Sequence, residues 1–208
     1  MVSTAALLGI SGVALGLVLT PGPNMIYLVS RSITQGRRAG LISLGGVAVG
    51  FLVYLAAATA GIATVFALVP PVYDALKIGG ALYLLYLAWT AVRPGGHSAF
   101  APRTDLPLDP PRKLFTMGLV TNLLNPKIAV LYVSLLPQFV DTARGHVAEQ
   151  TFLLGITQVC IAITVNCLIA LGAGSISRFL RSRPAWLRAQ RYVMGTVLAA
   201  LAVRIATD

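Results

Sequence analysis

From its first residues the chain repeats one pattern, long apolar runs separated by short polar or basic joins. The runs fall at approximately 4–30, 40–67, 72–92, 113–138, 148–173 and 187–206. A hydrocarbon core of about 30 Å is crossed by about 20 predominantly apolar residues at helical rise. The pattern therefore predicts an all-α membrane protein with six transmembrane helices. A secreted protein behind a signal peptide does not fit, because residues 1–20 hold no basic stretch and the apolar runs continue far beyond them.

Two of the runs contain residues that interrupt helices. In LVLTPGPNMIYLVS, residues 17–30, the centre is Thr20, Pro21, Gly22, Pro23 and Asn24. In NLLNPK, residues 122–127, the breakers are Asn125 and Pro126, followed by Lys127; together with the first set and Asn122 these are the candidate substrate-binding residues. Proline removes a backbone donor and obstructs the preceding turn. Thr20 lies 11 residues before Arg31, about 16 Å at helical rise. Lys127 lies 14 residues beyond Lys113, about 21 Å by the same rise. Both interruptions are thus expected near mid-membrane, where broken backbone is tolerated only against protein or a water-filled cavity. Half-helix N-termini attract a carboxylate and C-terminal carbonyls attract an ammonium, a pair of ends that suits a zwitterion. The simpler alternative is a pair of proline kinks whose freed groups are satisfied by neighbouring helices.

Lys127 sharpens the picture. A lysine at the bilayer centre costs on the order of 3 kcal/mol and marks a pathway or a partner. No acid lies near it in sequence or depth, so a substrate carboxylate is its expected partner, the alternative being that it snorkels to a surface. Asn122, Asn125, Thr157, Gln158 and Asn166 are read either as cavity lining or as bonds between helices. Gly12 with Gly16, and Gly46 with Gly50, have the small-xxx-small spacing of close helix approach. Tyr83, Tyr86 and Trp89 read as an interfacial aromatic belt.

Composition agrees: of 208 residues, 57% are hydrophobic and 11% charged, against about a quarter charged in soluble domains. The net charge of +10 could suggest a nucleic-acid partner, but 12 of the 16 basic residues fall in three alternate loops, around 31–38, 93–113 and 178–191. That is the positive-inside asymmetry. It places those loops in the cytoplasm and both termini outside a cell (inner) membrane, and it removes the need for a nucleic-acid partner. All six acids lie in loops or near span ends, so a proton-coupled carrier would use Lys127 or an outer acid, Asp74, Asp141 or Glu149. Cys160 and Cys167, two turns apart on one helix, read as packed thiols without a disulfide. No nucleophile–base pair, metal motif or cofactor motif is evident, so no enzyme and no cofactor are expected.

The proline- and glycine-rich stretch at 93–112 reads as a cytoplasmic linker between two three-span units, 1–92 and 113–208. A three-span unit enters on one side and leaves on the other, so a second copy runs upside down, as in inverted-repeat transporters. The two breaks fall in the first span of each unit. Span six is the weakest: Arg188 and Arg191 must snorkel, and if it stops short the C-terminus lies inside.

LTPGPNMIYLVSRSITQGRRAGL, GGALYLLYLAW and TNLLNPKIAVLYVSLLPQFV resemble the signature segments of the LysE/RhtB family of amino-acid exporters over almost the whole chain. The resemblance implies six helices in two inverted three-helix repeats, helices 1 and 4 broken at Pro21, Gly22, Pro23 and Asn24 and at Asn125, Pro126 and Lys127. It implies export of amino acids, driven by a proton gradient, and often a homodimer. Neutral amino acids such as homoserine, threonine or leucine are favoured over lysine, since no buried carboxylate awaits a second ammonium. Thr90 stands where members often carry an arginine, so that contact is not carried over. The competing readings are an exporter of another small solute or metal ion, which lacks deep His, Cys or carboxylate ligands, and a thiol–disulfide relay, which lacks a cysteine on each unit.

Overall fold

The computed structural model describes residues 2–20, 22–62 and 108–181, with isolated positions at 78, 82, 85, 86, 89, 192, 196, 199, 200 and 203. Among these residues the regular structure is entirely helical, with no strand. Most of the third and sixth apolar runs, Pro21 and the linker before Leu108 lie outside the described residues.

The first apolar run is two helices. Ser3 caps the start of α1 (Thr4–Leu19), its hydroxyl accepting from the Ala6 amide at 3.1 Å. Thr20 precedes a proline, which pushes a residue out of the helical region, and its backbone is extended at φ −73°, ψ 126°. The chain re-enters a helix at α2 (Pro23–Gln35), with Pro23 in the first turn, where the missing N–H has no intrahelical partner to lose. The two axes are bent by 52°.

The fourth run repeats the device. α4 (Pro111–Leu123) starts two residues before the run marked by the sequence. Asn125, again before a proline, is extended at φ −82°, ψ 106°. Its side-chain oxygen accepts from the Lys127 amide at 3.1 Å and so caps α5 (Pro126–Val130). The chain then continues through a π turn, Leu131–Leu135, and a 3-10 turn, Leu136–Phe139. This pair is bent by 50°.

Two unbroken helices complete the described fold, α3 (Arg37–Ala57) and α6 (Val147–Arg181). Each contains a stretch long and apolar enough to cross a membrane, and with each bent pair taken as one span the described residues supply up to four. Gly36, at φ +87°, makes the reversal from α2 into α3 in a region open mainly to glycine.

The two halves of the chain pack into each other. α3 lies along α4, and α6 touches α1, α2 and α3. Gly46 sits against the Phe115 carbonyl and Gly118 against the Ser43 carbonyl, where an added Cβ would meet backbone from either side. The small-residue spacing at 46–50 is therefore used for contact, whereas Gly12 faces no atom within 4 Å among the described residues. Ile10, Val47, Phe51, Leu131, Tyr132 and Leu154 belong to one core cluster, and the Tyr54 and Tyr132 rings stack at 5.5 Å. Leu8, Leu52, Leu82, Trp89 and Leu168 point outward, as suits a surface solvated by lipid. Cys160 is exposed on that surface rather than packed, and Cys167 is half-buried; both are free thiols.

The Gly46–Phe115 approach yields a test. Gly46→Leu forces a side chain into backbone that no rotamer change can move, an overpacking cost of at least about 1–3 kcal/mol. The detergent-solubilised variant is expected to melt several degrees below the parent or to elute as aggregate on gel filtration. Leu52→Ala, on the exposed face of the same helix, is expected to leave both readouts unchanged.

Candidate functional site

The two breaks come together. Between α1, α2, α5 and α6 lies a cavity of about 20 Å³, lined by Ala14, Leu17, Val18, Asn24, Met25, Lys127, Ile128, Leu131, Gln158 and Asn166. That is room for about one water. Most of the wall is aliphatic, and Lys127 is the single charged residue of the lining.

Lys127 stands at 6% exposure. Its Nζ donates to the Leu17 carbonyl at 2.7 Å and to the Thr20 carbonyl at 2.9 Å. The last carbonyls of a helix have no intrahelical partner and form the negative end of its dipole, so the end of α1 is a natural seat for a cation. The lysine itself belongs to the first turn of α5, the positive end of that dipole, where its charge is unfavourable. The side chain therefore reaches away from its own helix and onto α1. One residue thus joins the C-terminal end of α1 to the N-terminal end of α5, far apart in the chain. Gly22 gives the ammonium room: a Cβ there would lie 3.0 Å from Nζ.

The other residues singled out by the sequence divide into those at the cavity and those that shape the breaks. Asn24 is buried and lines the cavity, and its Oδ1 has no hydrogen-bond partner among the described residues. Gly22 is the N-cap of α2, which has no side-chain cap. Thr20 is buried with its hydroxyl donating to the Gly16 carbonyl at 2.6 Å. Pro23 is exposed. Pro126 opens α5, and Asn125 caps it while its Nδ2 has no partner among the described residues. Asn122 is fully buried against Gly50, outside the cavity lining, with neither amide atom bonded among the described residues. Beside Lys127, where the sequence raises the expectation of a substrate carboxylate, stand the backbone carbonyls of Leu17 and Thr20.

Gln158 and Asn166 are drawn into the site. The Tyr132 hydroxyl donates to Gln158 Oε1 at 2.9 Å, and Asn166 Nδ2 donates to the Ala162 carbonyl at 2.8 Å. Their eight-residue separation places them about two turns apart on one face of α6. The apolar lining at 14, 17 and 18 follows helical spacing and was not separable from ordinary core packing in the sequence.

A second constellation stands where α2 meets the start of α4. Asp109, immediately before α4, accepts from Arg31 and Gln35 of α2 and from Lys113 of α4; the Gln35 and Lys113 contacts are 3.0 and 2.7 Å. Gln35 Oε1 in turn accepts from the Asp109 amide at 2.8 Å. The Arg31 guanidinium lies 5.6 Å over the Tyr27 ring, and the Tyr27 hydroxyl donates to the Leu114 carbonyl at 2.7 Å. Arg31 served in the sequence only as a topology marker, and Asp109 was hidden in a linker. Hydrogen bonds from Lys113 and Gln35, then the charges of Arg31 and Lys113, outweigh burial and hold the Asp109 carboxyl below its ordinary 3.8.

The sequence model of the LysE type translocator family matches residues 15–208. The chain is 28% identical over 200 residues to a leucine efflux protein of Klebsiella pneumoniae subsp. pneumoniae, covering 93% of this chain and 91% of that one. It is 26% identical over 198 residues to a leucine efflux protein of Salmonella typhimurium, again covering 93% and 91%. No solved structure matches it.

The Asp109 cluster predicts a pH-dependent strength. A carboxyl whose pKa is lowered by folding contributes stability above its unfolded value and loses it as pH falls through the folded one. The melting midpoint of the parent should exceed that of Asp109→Asn by several degrees near neutral pH. The gap should hold down to about the ordinary 3.8 and shrink only below it, as read by thermal melts across a pH series.

Proposed function

Because this chain belongs to the LysE type translocator family, we propose that it is a secondary exporter of neutral amino acids with aliphatic side chains, coupled to protons and working by alternating access. The observation that carries the reading is the meeting of two broken helices at one buried cavity whose lining holds a single charge. The relatives named for leucine efflux support an amino-acid passenger.

The parts of a zwitterion find chemically matched surroundings. Its carboxylate goes to the uncapped start of α2, where Asn24 and Met25 border the cavity and first-turn amides lack intrahelical partners. Its ammonium goes to side-chain oxygens, foremost Asn24 Oδ1, which has no partner among the described residues. Its aliphatic side chain goes against Val18, Ile128 and Leu131. Thr20, Pro21, Gly22, Pro23, Asn125 and Pro126 serve by making the breaks and holding their ends apart, Lys127 by joining them, and Asn122 by packing α4 on Gly50 just before the second break.

A cavity of about 20 Å³ is too small for any amino acid, so transport requires it to open. The Asp109 cluster closes one end, which positive-inside topology assigns to the cytoplasm. Phe139 packs on Gly9 at the other. The conformation is thus read as occluded, between states that open alternately as units 1–92 and 113–208, in six spans and inverted repeat, rock against each other. The setting is the inner membrane, with both termini outside and a homodimer as the assembly.

Counterflow in proteoliposomes tests the reading. Protein shown to be folded should exchange labelled leucine, and leucine, isoleucine or valine should compete more than tenfold better than lysine or glutamate. Absence of exchange for every amino acid in the panel would count decisively against it.

A further inference from the structure

The ammonium of Lys127 occupies the place at a broken helix where a coupling cation would be held: the terminal carbonyls of α1, beside the cavity. Resting on the exporter reading above, we propose that Lys127 is itself the coupling cation, a tethered ammonium whose proton latches the two halves of the transporter and is released and regained once per cycle.

Three features carry this. The latch spans the two units, since Lys127 is in α5 and its acceptors are the end of α1. Its acceptors are backbone carbonyls, so the attraction rests on the positive charge and on N–H donors, both reduced when the proton leaves. Among the described residues no other titratable group lines the cavity to carry a proton in its place. α1 has no titratable side chain; Tyr27 and Arg31 of α2 are engaged in the Asp109 cluster; α6 offers the uncharged Gln158 and Asn166; and the Tyr132 hydroxyl is bonded to Gln158.

The step moves one proton. When the cavity opens, an N–H bond of the ammonium breaks, the electron pair stays on nitrogen, and the proton passes to water. The neutral amine no longer answers the negative end of α1, so the half-helices separate. Protonation from water on the opposite side restores the latch. Arginine cannot take this part, because a guanidinium does not give up its proton in proteins.

The test uses the full-length protein in proteoliposomes, with Lys127→Arg, Lys127→Met and the parent. Proton movement is read by an entrapped pH dye, labelled leucine flux by filtration, and leucine binding by the ligand-dependent shift of thermal melting. The parent should move protons with leucine. Both variants should retain a leucine-dependent melting shift while the protons moved per leucine fall at least tenfold, with Lys127→Arg also losing net flux at least tenfold across pH 5 to 9. Parent-like proton movement in either variant overturns the proposal. So does loss of the melting shift in both, which makes Lys127 a substrate ligand instead. Leucine flux without proton movement in the parent overturns it while leaving export standing; absence of any amino-acid flux in the parent defeats the exporter reading itself.

Discussion

A buried peptide group without a partner costs as much as a lost hydrogen bond, and this chain breaks two helices side by side in its interior. The contact that makes the breaks tolerable is the Lys127 ammonium on the carbonyls of Leu17 and Thr20. It removes two hazards together, because a buried ammonium and a buried bare helix end each need a partner. Each supplies the other with a partner across the boundary between the two halves of the chain.

From that contact the remaining geometry follows. Pro23 and Pro126 are placed in a first helical turn, where proline does least harm, so each break is short and each new half-helix begins at once. Bends of 52° and 50° then bring the starts of α2 and α5 beside the end of α1. α3 against α4, pressed to backbone contact at Gly46 and Gly118, holds the two broken pairs at fixed separation. The Asp109 cluster ties α2 to α4 at one end. A charged pair buried to this degree is strong only while both partners are present, so the tie between α2 and α4 stands or falls as a unit.

The breaks and the special standing of Lys127, which the structure buries, were legible in the sequence because proline, glycine and a lone cation carry their physical effects wherever they stand. The partner of Lys127 was not, because its acceptors are backbone carbonyls that any residues at positions 17 and 20 would offer. Asp109 was missed for a different reason: a proline-rich stretch looks like linker, and only the fold brings its last acid beneath α2. Glycine spacing proved half informative, since 46–50 meets a neighbouring helix and Gly12 meets none of the described residues. The cavity lining on α6 was visible as polar residues in an apolar run, but their common face mattered only once α1 and α5 were seen opposite.

A high-resolution structure of the protein in a lipid nanodisc measures the contact most directly. Density should show helix ending near Leu19 and Leu123, restarting at Pro23 and Pro126, with Lys127 Nζ within hydrogen-bond distance of the Leu17 and Thr20 carbonyls. Continuous helix through both segments, or the lysine nitrogen placed among lipid headgroups, would contradict it.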